Sequence, residues 1–155
     1  MNAIAMVVAT AGYVGYFPIA SGTAGSMVGL VVFALVRWVG EPAFELVTIA
    51  AVLVLGIWSA SVAERTLNMK DPGPVVIDEV LGMLITLALL PLSVTGVIVG
   101  FVLFRIFDVI KPFPAGRLEA LHGGMGIMLD DAVAGLYAYV SLRVLVTLAP
   151  AWLGT

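Results

Sequence analysis

Cysteine is absent from this 155-residue sequence, and charge is scarce, with only 11% of residues being Asp, Glu, Lys or Arg. Without a thiol there is no disulfide, no thiolate metal site and no cysteine-nucleophile phosphatase chemistry. Seven basic residues scattered along the chain make no patch for nucleic acid. A soluble domain carries roughly a quarter of its residues as charge, so the deficit points away from a water-exposed surface. No charge precedes Arg37. The N-terminus therefore lacks a basic n-region, and the uncharged stretch is too long for a cleaved signal peptide.

What fills the chain instead is apolar: 62% of residues are hydrophobic, and the mean hydropathy is +1.17. Residues 46–63 and 80–104 carry no charge, and a helical crossing of a bilayer takes about 20 apolar residues. The expected class is an all-α integral membrane protein. Residues 3–14 are apolar but short, and Gly12, Gly15 and Pro18 then interrupt them, as in a re-entrant or interfacial segment. A small-residue loop leads into a first helix over residues 24–39, and Gly40 to Pro42 turn the chain into a second over 43–63. Two prolines and a glycine break residues 70–74.

Pro91 then allows two arrangements of residues 77–110. Either it reverses the chain between two short spans, or it kinks one long span. The hairpin is favoured by charge. It places Arg65, Lys70, Arg105, Lys111 and Arg117 on one side and leaves Arg37 and Arg143 on the other. Basic loop residues mark the cytoplasmic side. Asp130 and Asp131 open a last helix running to about residue 148. The expectation is a single membrane domain over residues 1–155, with a 1–23 N-terminal segment and a 24–155 bundle of about five transmembrane helices.

Against this background the polar residues stand out, because an ionisable group near hydrocarbon is costly unless paired, hydrated or metal-bound. Asp78-Glu79 and Asp130-Asp131 offer hard oxygen ligands suited to Mg²⁺ shared with a phosphate. Helix capping is the plainer role for one such pair. Two successive acids exceed what a cap needs, and two pairs on one membrane face favour a metal. Arg105, Asp108 and Lys111 follow at i, i+3 and i+6, so neighbours can meet on one helix face. Asp108 is a further candidate ligand. Arg105 and Lys111 are candidate clamps for phosphate oxygens, or else border residues that snorkel. Gly22, Thr23 and Ser26 precede a helix whose N-terminal N–H groups can seat an anion, although small residues also serve close helix packing. His122, the single histidine, lies in a glycine-rich loop, more simply a loop residue than an acid catalyst. Glu64, Arg65 and Glu119 read as solvated loop charges, and Trp38 and Trp58 as interfacial anchors.

Four blocks carry a family resemblance: residues 18–26 (PIASGTAGS), 70–82 (KDPGPVVIDEVLG), 104–112 (FRIFDVIKP) and 122–131 (HGGMGIMLDD). In that order and spacing the chain resembles bacterial phosphatidylglycerophosphatase A. The resemblance implies a Mg²⁺-dependent phosphatase of the bacterial inner membrane. It would convert phosphatidylglycerophosphate to phosphatidylglycerol on the cytoplasmic side. Carried over by position, the matched polar residues are Thr23, Asp78, Glu79, Asp108, Lys111, Asp130 and Asp131. Ser21 stands where the family usually has proline. The nucleophile stays open between water and an aspartate. The rival reading is a small divalent-cation channel or transporter, against which the acids gather at helix ends instead of mid-span.

Overall fold

Apolar runs punctuated by glycine and proline become helices along nearly the whole chain. The computed structural model describes residues 2–118 and 120–155, so Glu119 lies outside the described residues. In chain order the helices are α1 (Asn2–Ala9), α2 (Ser21–Val39), α3 (Pro42–Leu67), α4 (Ile77–Leu87), α5 (Val94–Ile110), α6 (Ala115–Leu118), α7 (Gly124–Leu148) and α8 (Pro150–Leu153), with a 3₁₀ turn at Val14–Tyr16 between α1 and α2. Gly40, in the left-handed region, ends α2, and Pro42 opens α3. Ser93 caps α5 by accepting from the backbone N–H of Gly96 at 3.1 Å.

Helices α2, α3 and α7 are long and apolar enough to cross a membrane by length and composition. Their outward faces expose Val31, Leu35, Leu46, Val47, Val54, Val140 and Val144, a surface suited to lipid. Helices α4 and α5 are shorter, at 11 and 17 residues, and form the hairpin expected around Pro91. A side chain at Gly82 would strike Phe104, and one at Gly100 would strike Leu87, a pairing given by antiparallel helices.

Helix α4 is the buried centre, packed chiefly between α2 and α7. Leu81, Met83, Leu84 and Leu87 are almost wholly enclosed. Close approach explains its glycine: Gly135 of α7 sits so near that a Cβ there would lie 2.6 Å from the carbonyl oxygen of Gly82. Small residues let helices in membranes pack backbone to backbone in this way.

Two sets of contacts fix the ends of α4. Ahead of it, the backbone N–H of Val76 donates to the carbonyl of Ala9 at 2.9 Å, and Gly15 abuts the carbonyl of Pro74. The N-terminal segment thus sets where α4 begins. At the other end, the buried carboxylate of Glu45 accepts from the N–H of Leu89 at 2.8 Å and pairs with Arg37 at 3.5 Å. Arg37 also donates to the carbonyl of Leu90. This latch ties the α4–α5 turn to the α2–α3 turn.

Three expected boundaries move. Helix α3 runs on to Leu67 instead of residue 63, so Glu64 and Arg65, expected in a loop, belong to its last turn. Helix α2 starts at Ser21 instead of residue 24, which brings Gly22 and Thr23 into its first turn. Helix α7 starts at Gly124 instead of Asp130. Gly124 and Gly126 belong to the helix because their bare backbones fit against the carbonyls of Ile57 and Leu121.

Candidate metal centre

The start of α7 changes what Asp130 and Asp131 are. They lie beyond the first turn and cannot cap the helix, so the capping role fails for this pair. Asp78 and Glu79 do lie in the first turn of α4, whose N-cap residue, Val76, makes no side-chain capping bond.

Side-chain oxygens of Asp78, Glu79 and Asp131 all lie within 4.8 Å of one another. Asp78 is 8% exposed and Asp131 3%. Among the described residues, Asp78 Oδ1, Glu79 Oε2 and Asp131 Oδ2 are buried oxygens with no hydrogen-bond partner. Three carboxylates so placed repel one another, and each unsatisfied oxygen carries a desolvation cost. A divalent cation answers both demands. All-oxygen donors from a few carboxylates suit a hard ion.

The remaining acids act around this triad. Asp130 turns away to Lys111, whose Nζ lies 2.7 Å from its Oδ2, and its Oδ1 accepts from the N–H of Asp131. Asp108 pairs with Arg105 at 2.7 Å and is close enough to Asp131 and Glu79 to act on both electrostatically. Asp71 acts in the same way on Asp78 and Asp130. Sequence reasoning did not single out Asp71. Its signal was present, since it shares the Pro- and Gly-rich loop that leads into Asp78-Glu79.

Helix α2 forms one wall. A side chain at Gly22 would run into Glu79 and would come within 3.2 Å of the Arg105 guanidinium. Arg105 also donates to Ser26 Oγ at 3.3 Å, so Gly22, Ser26 and Arg105 gather beside the triad. Thr23 is exposed and lines an adjoining apolar groove. Lys111 sits in left-handed backbone at the end of α5. The loop beyond it is held to α7 by the Tyr137 hydroxyl, which donates to the carbonyl of Phe113 at 2.7 Å. His122 belongs elsewhere, lining a polar cavity of about 550 Å³ with Glu64, Arg65 and Lys70.

The sequence matches the family described as Phosphatidylglycerophosphatase A over residues 7–146. The chain belongs to this family. A relative from Escherichia coli named Phosphatidylglycerophosphatase A is 37% identical over 124 residues, covering 79% of this chain and 72% of its own. A relative of the same name from Haemophilus influenzae is 37% identical, covering 78% and 76%. A protein from Bacteroides thetaiotaomicron, provisionally named as a phosphatidylinositol-3-phosphatase, is 36% identical over 137 residues, covering 84% and 86%. No solved structure matches the chain. The resemblance seen in the four sequence blocks is thereby established as family membership. The blocks meet in space: three supply the carboxylates and their ion-paired partners, and the fourth supplies the α2 wall.

Proposed function

We propose that this protein is a Mg²⁺-dependent phosphatase that removes the terminal phosphate of phosphatidylglycerophosphate to give phosphatidylglycerol. It acts from the cytoplasmic face of a bacterial inner membrane. The observation that carries the reading is the triad of Asp78, Glu79 and Asp131, with three buried oxygens lacking partners, in a chain of this family. The cytoplasmic placement rests on charge. Arg105 and Lys111 stand at the triad end of the α4–α5 hairpin, while Arg37 stands at the turn end.

Asp78, Glu79 and Asp131 hold the ion. When bound, Mg²⁺ supplies Lewis-acid charge to the phosphate oxygens and offsets repulsion between two anionic partners. Lys111, oriented by Asp130, and Arg105, oriented by Asp108 and Ser26, supply fixed positive charge for the oxygens of the transferring group. The bare backbone at Gly22 lets α2 close against Glu79 and Arg105, where a side chain would strike both. Water adds to phosphorus, the bond from phosphorus to the glycerol oxygen breaks, and that oxygen leaves as the hydroxyl of phosphatidylglycerol.

The test is phosphate release by the purified protein in detergent, with Mg²⁺ and with chelator. Release from phosphatidylglycerophosphate that chelator stops is the expected result. Release from phosphatidylinositol 3-phosphate alone would transfer the same chemistry to the headgroup named for the Bacteroides relative. Release from neither lipid by folded protein would overturn the reading.

A further inference from the structure

Beside the triad an open apolar groove of about 830 Å³ runs along α2. Its floor is the face bearing Thr23, Met27 and Val31, spaced i, i+4 and i+8 so that they stack in one line. Its opposite wall is the turn carrying Tyr16 and Phe17. That wall is built into the fold. Tyr13 and Ala20 hold left-handed backbone at either end of the turn, which is costly for residues with a side chain unless the surroundings impose it. The N–H of Gly15 donates to the carbonyl of Thr10 at 3.0 Å. Among the described residues, none that lines the groove is charged.

We infer that this groove seats one acyl chain of the phospholipid substrate. Three observations converge on that occupant. Thr23, at the upper end, is the next residue after Gly22, whose backbone abuts Glu79 and Arg105, so the upper end of the groove lies one residue along α2 from the wall of the metal centre. It then follows a helix long and apolar enough to span the membrane, the direction an acyl chain takes below a headgroup at the interface. From Thr23 to Val31 the helix rises about 12 Å, enough to cover much of one chain. The inference rests on the reading that the triad receives the terminal phosphate of a lipid.

The experiment uses the full-length protein with Met27→Trp and Val31→Trp, which fill the groove from exposed positions. Val102→Trp on α5 and Val140→Trp on α7, both also exposed, are the controls. Hydrolysis of dioleoyl-phosphatidylglycerophosphate is compared with that of its dihexanoyl analogue. The groove variants should lose at least about tenfold in kcat/KM on the long-chain lipid, as expected when a few methylenes are displaced, and stay near wild type on the short one. The controls should change neither. Equal losses on both lipids, or a loss confined to Val102→Trp, would overturn the assignment.

A second readout needs no turnover. A phosphatidylglycerophosphate with a diazirine in its acyl chain should crosslink to residues 16–31. Unlabelled phosphomonoester lipid should displace that crosslink, and phosphatidylcholine should not. Crosslinks displaced equally by both would mean bulk-lipid contact only and defeat the groove. Selective crosslinking without hydrolysis would keep the groove and defeat the phosphatase reading.

Discussion

Lys111 Nζ lies 2.7 Å from Asp130 Oδ2, and this pairing divides two successive acids between two tasks. Asp131, the next residue, turns its carboxylate to Asp78 and Glu79. One turn of helix thereby serves both the candidate ion site and the Lys111 ammonium.

Breaking that pair from one side leaves a carboxylate that is 4% exposed without its partner. Lys111→Met should therefore destabilise the protein by about 3 kcal/mol, at the low end for a buried pair that loses one member. It should also lower kcat/KM by at least about tenfold through lost phosphate contact. Adding Asp130→Asn should restore much of the thermal stability and none of the activity. Recovery of both would show that Lys111 serves only to neutralise Asp130.

Removing one charge from the triad should separate stability from function. Asp131→Asn keeps the shape of the side chain while relieving repulsion among three close carboxylates. In chelator its melting temperature should equal or exceed that of wild type. Wild type should then gain stability as Mg²⁺ is added, following the logarithm of the ion concentration above Kd. The variant should gain little and should lose activity by about 10²-fold or more. An unchanged Mg²⁺ response would remove Asp131 from the ligand set.

The sequence exposed the acids because charge is so rare in it, and a reader needs no structure to suspect Asp78, Glu79 and Asp131. It concealed their division of labour. Asp130 and Asp131 have the same composition and nearly the same position, and only the helical phase from Gly124 assigns one to Lys111 and the other to the triad. That phase was hidden because Gly123, Gly124 and Gly126 read as loop residues. Two of them are helical, kept small by the carbonyls of Ile57 and Leu121. Thr23 was placed by its motif at the anion seat, whereas the earlier start of α2 sets it on the groove. Asp71, in the Pro- and Gly-rich loop, and Glu45, in the first turn of the second expected helix, were not singled out. Their importance lies in contacts with distant segments, which no local pattern records.

Two glycines at the heart of the bundle should respond oppositely to alanine. A Cβ at Gly22 meets the flexible end of Glu79, which can swing aside at little cost to the fold. Gly22→Ala should keep a melting temperature close to wild type yet reduce kcat/KM by about tenfold, since small misplacements of a reacting geometry are expensive. A Cβ at Gly135 meets backbone, the carbonyl oxygen of Gly82 at 2.6 Å and its Cα at 3.1 Å. There α4 itself must move, so Gly135→Ala should cost about 1–3 kcal/mol of stability, the range for overpacking. Thermal unfolding alongside kinetics on both variants checks the contrast. A destabilised Gly22→Ala would show that the α2 wall is tighter than the Glu79 contact implies.

The latch at the opposite end of α4 offers a test of structure without chemistry. Glu45 is 3% exposed and accepts from the N–H of Leu89, a residue in left-handed backbone. Glu45→Ala leaves that N–H without its acceptor and Arg37 without its carboxylate. The expected cost is about 1–2 kcal/mol, combining a lost hydrogen bond with a broken, partly exposed charge pair. Glu45→Gln keeps an oxygen for Leu89 and should lose about half as much. Because the latch and the triad lie at opposite ends of α4, the folded fraction of either variant should retain a wild-type Mg²⁺ response. Loss of that response in Glu45→Gln, at a temperature where the protein is folded, would mean that the turn end of α4 governs the geometry of Asp78 and Glu79.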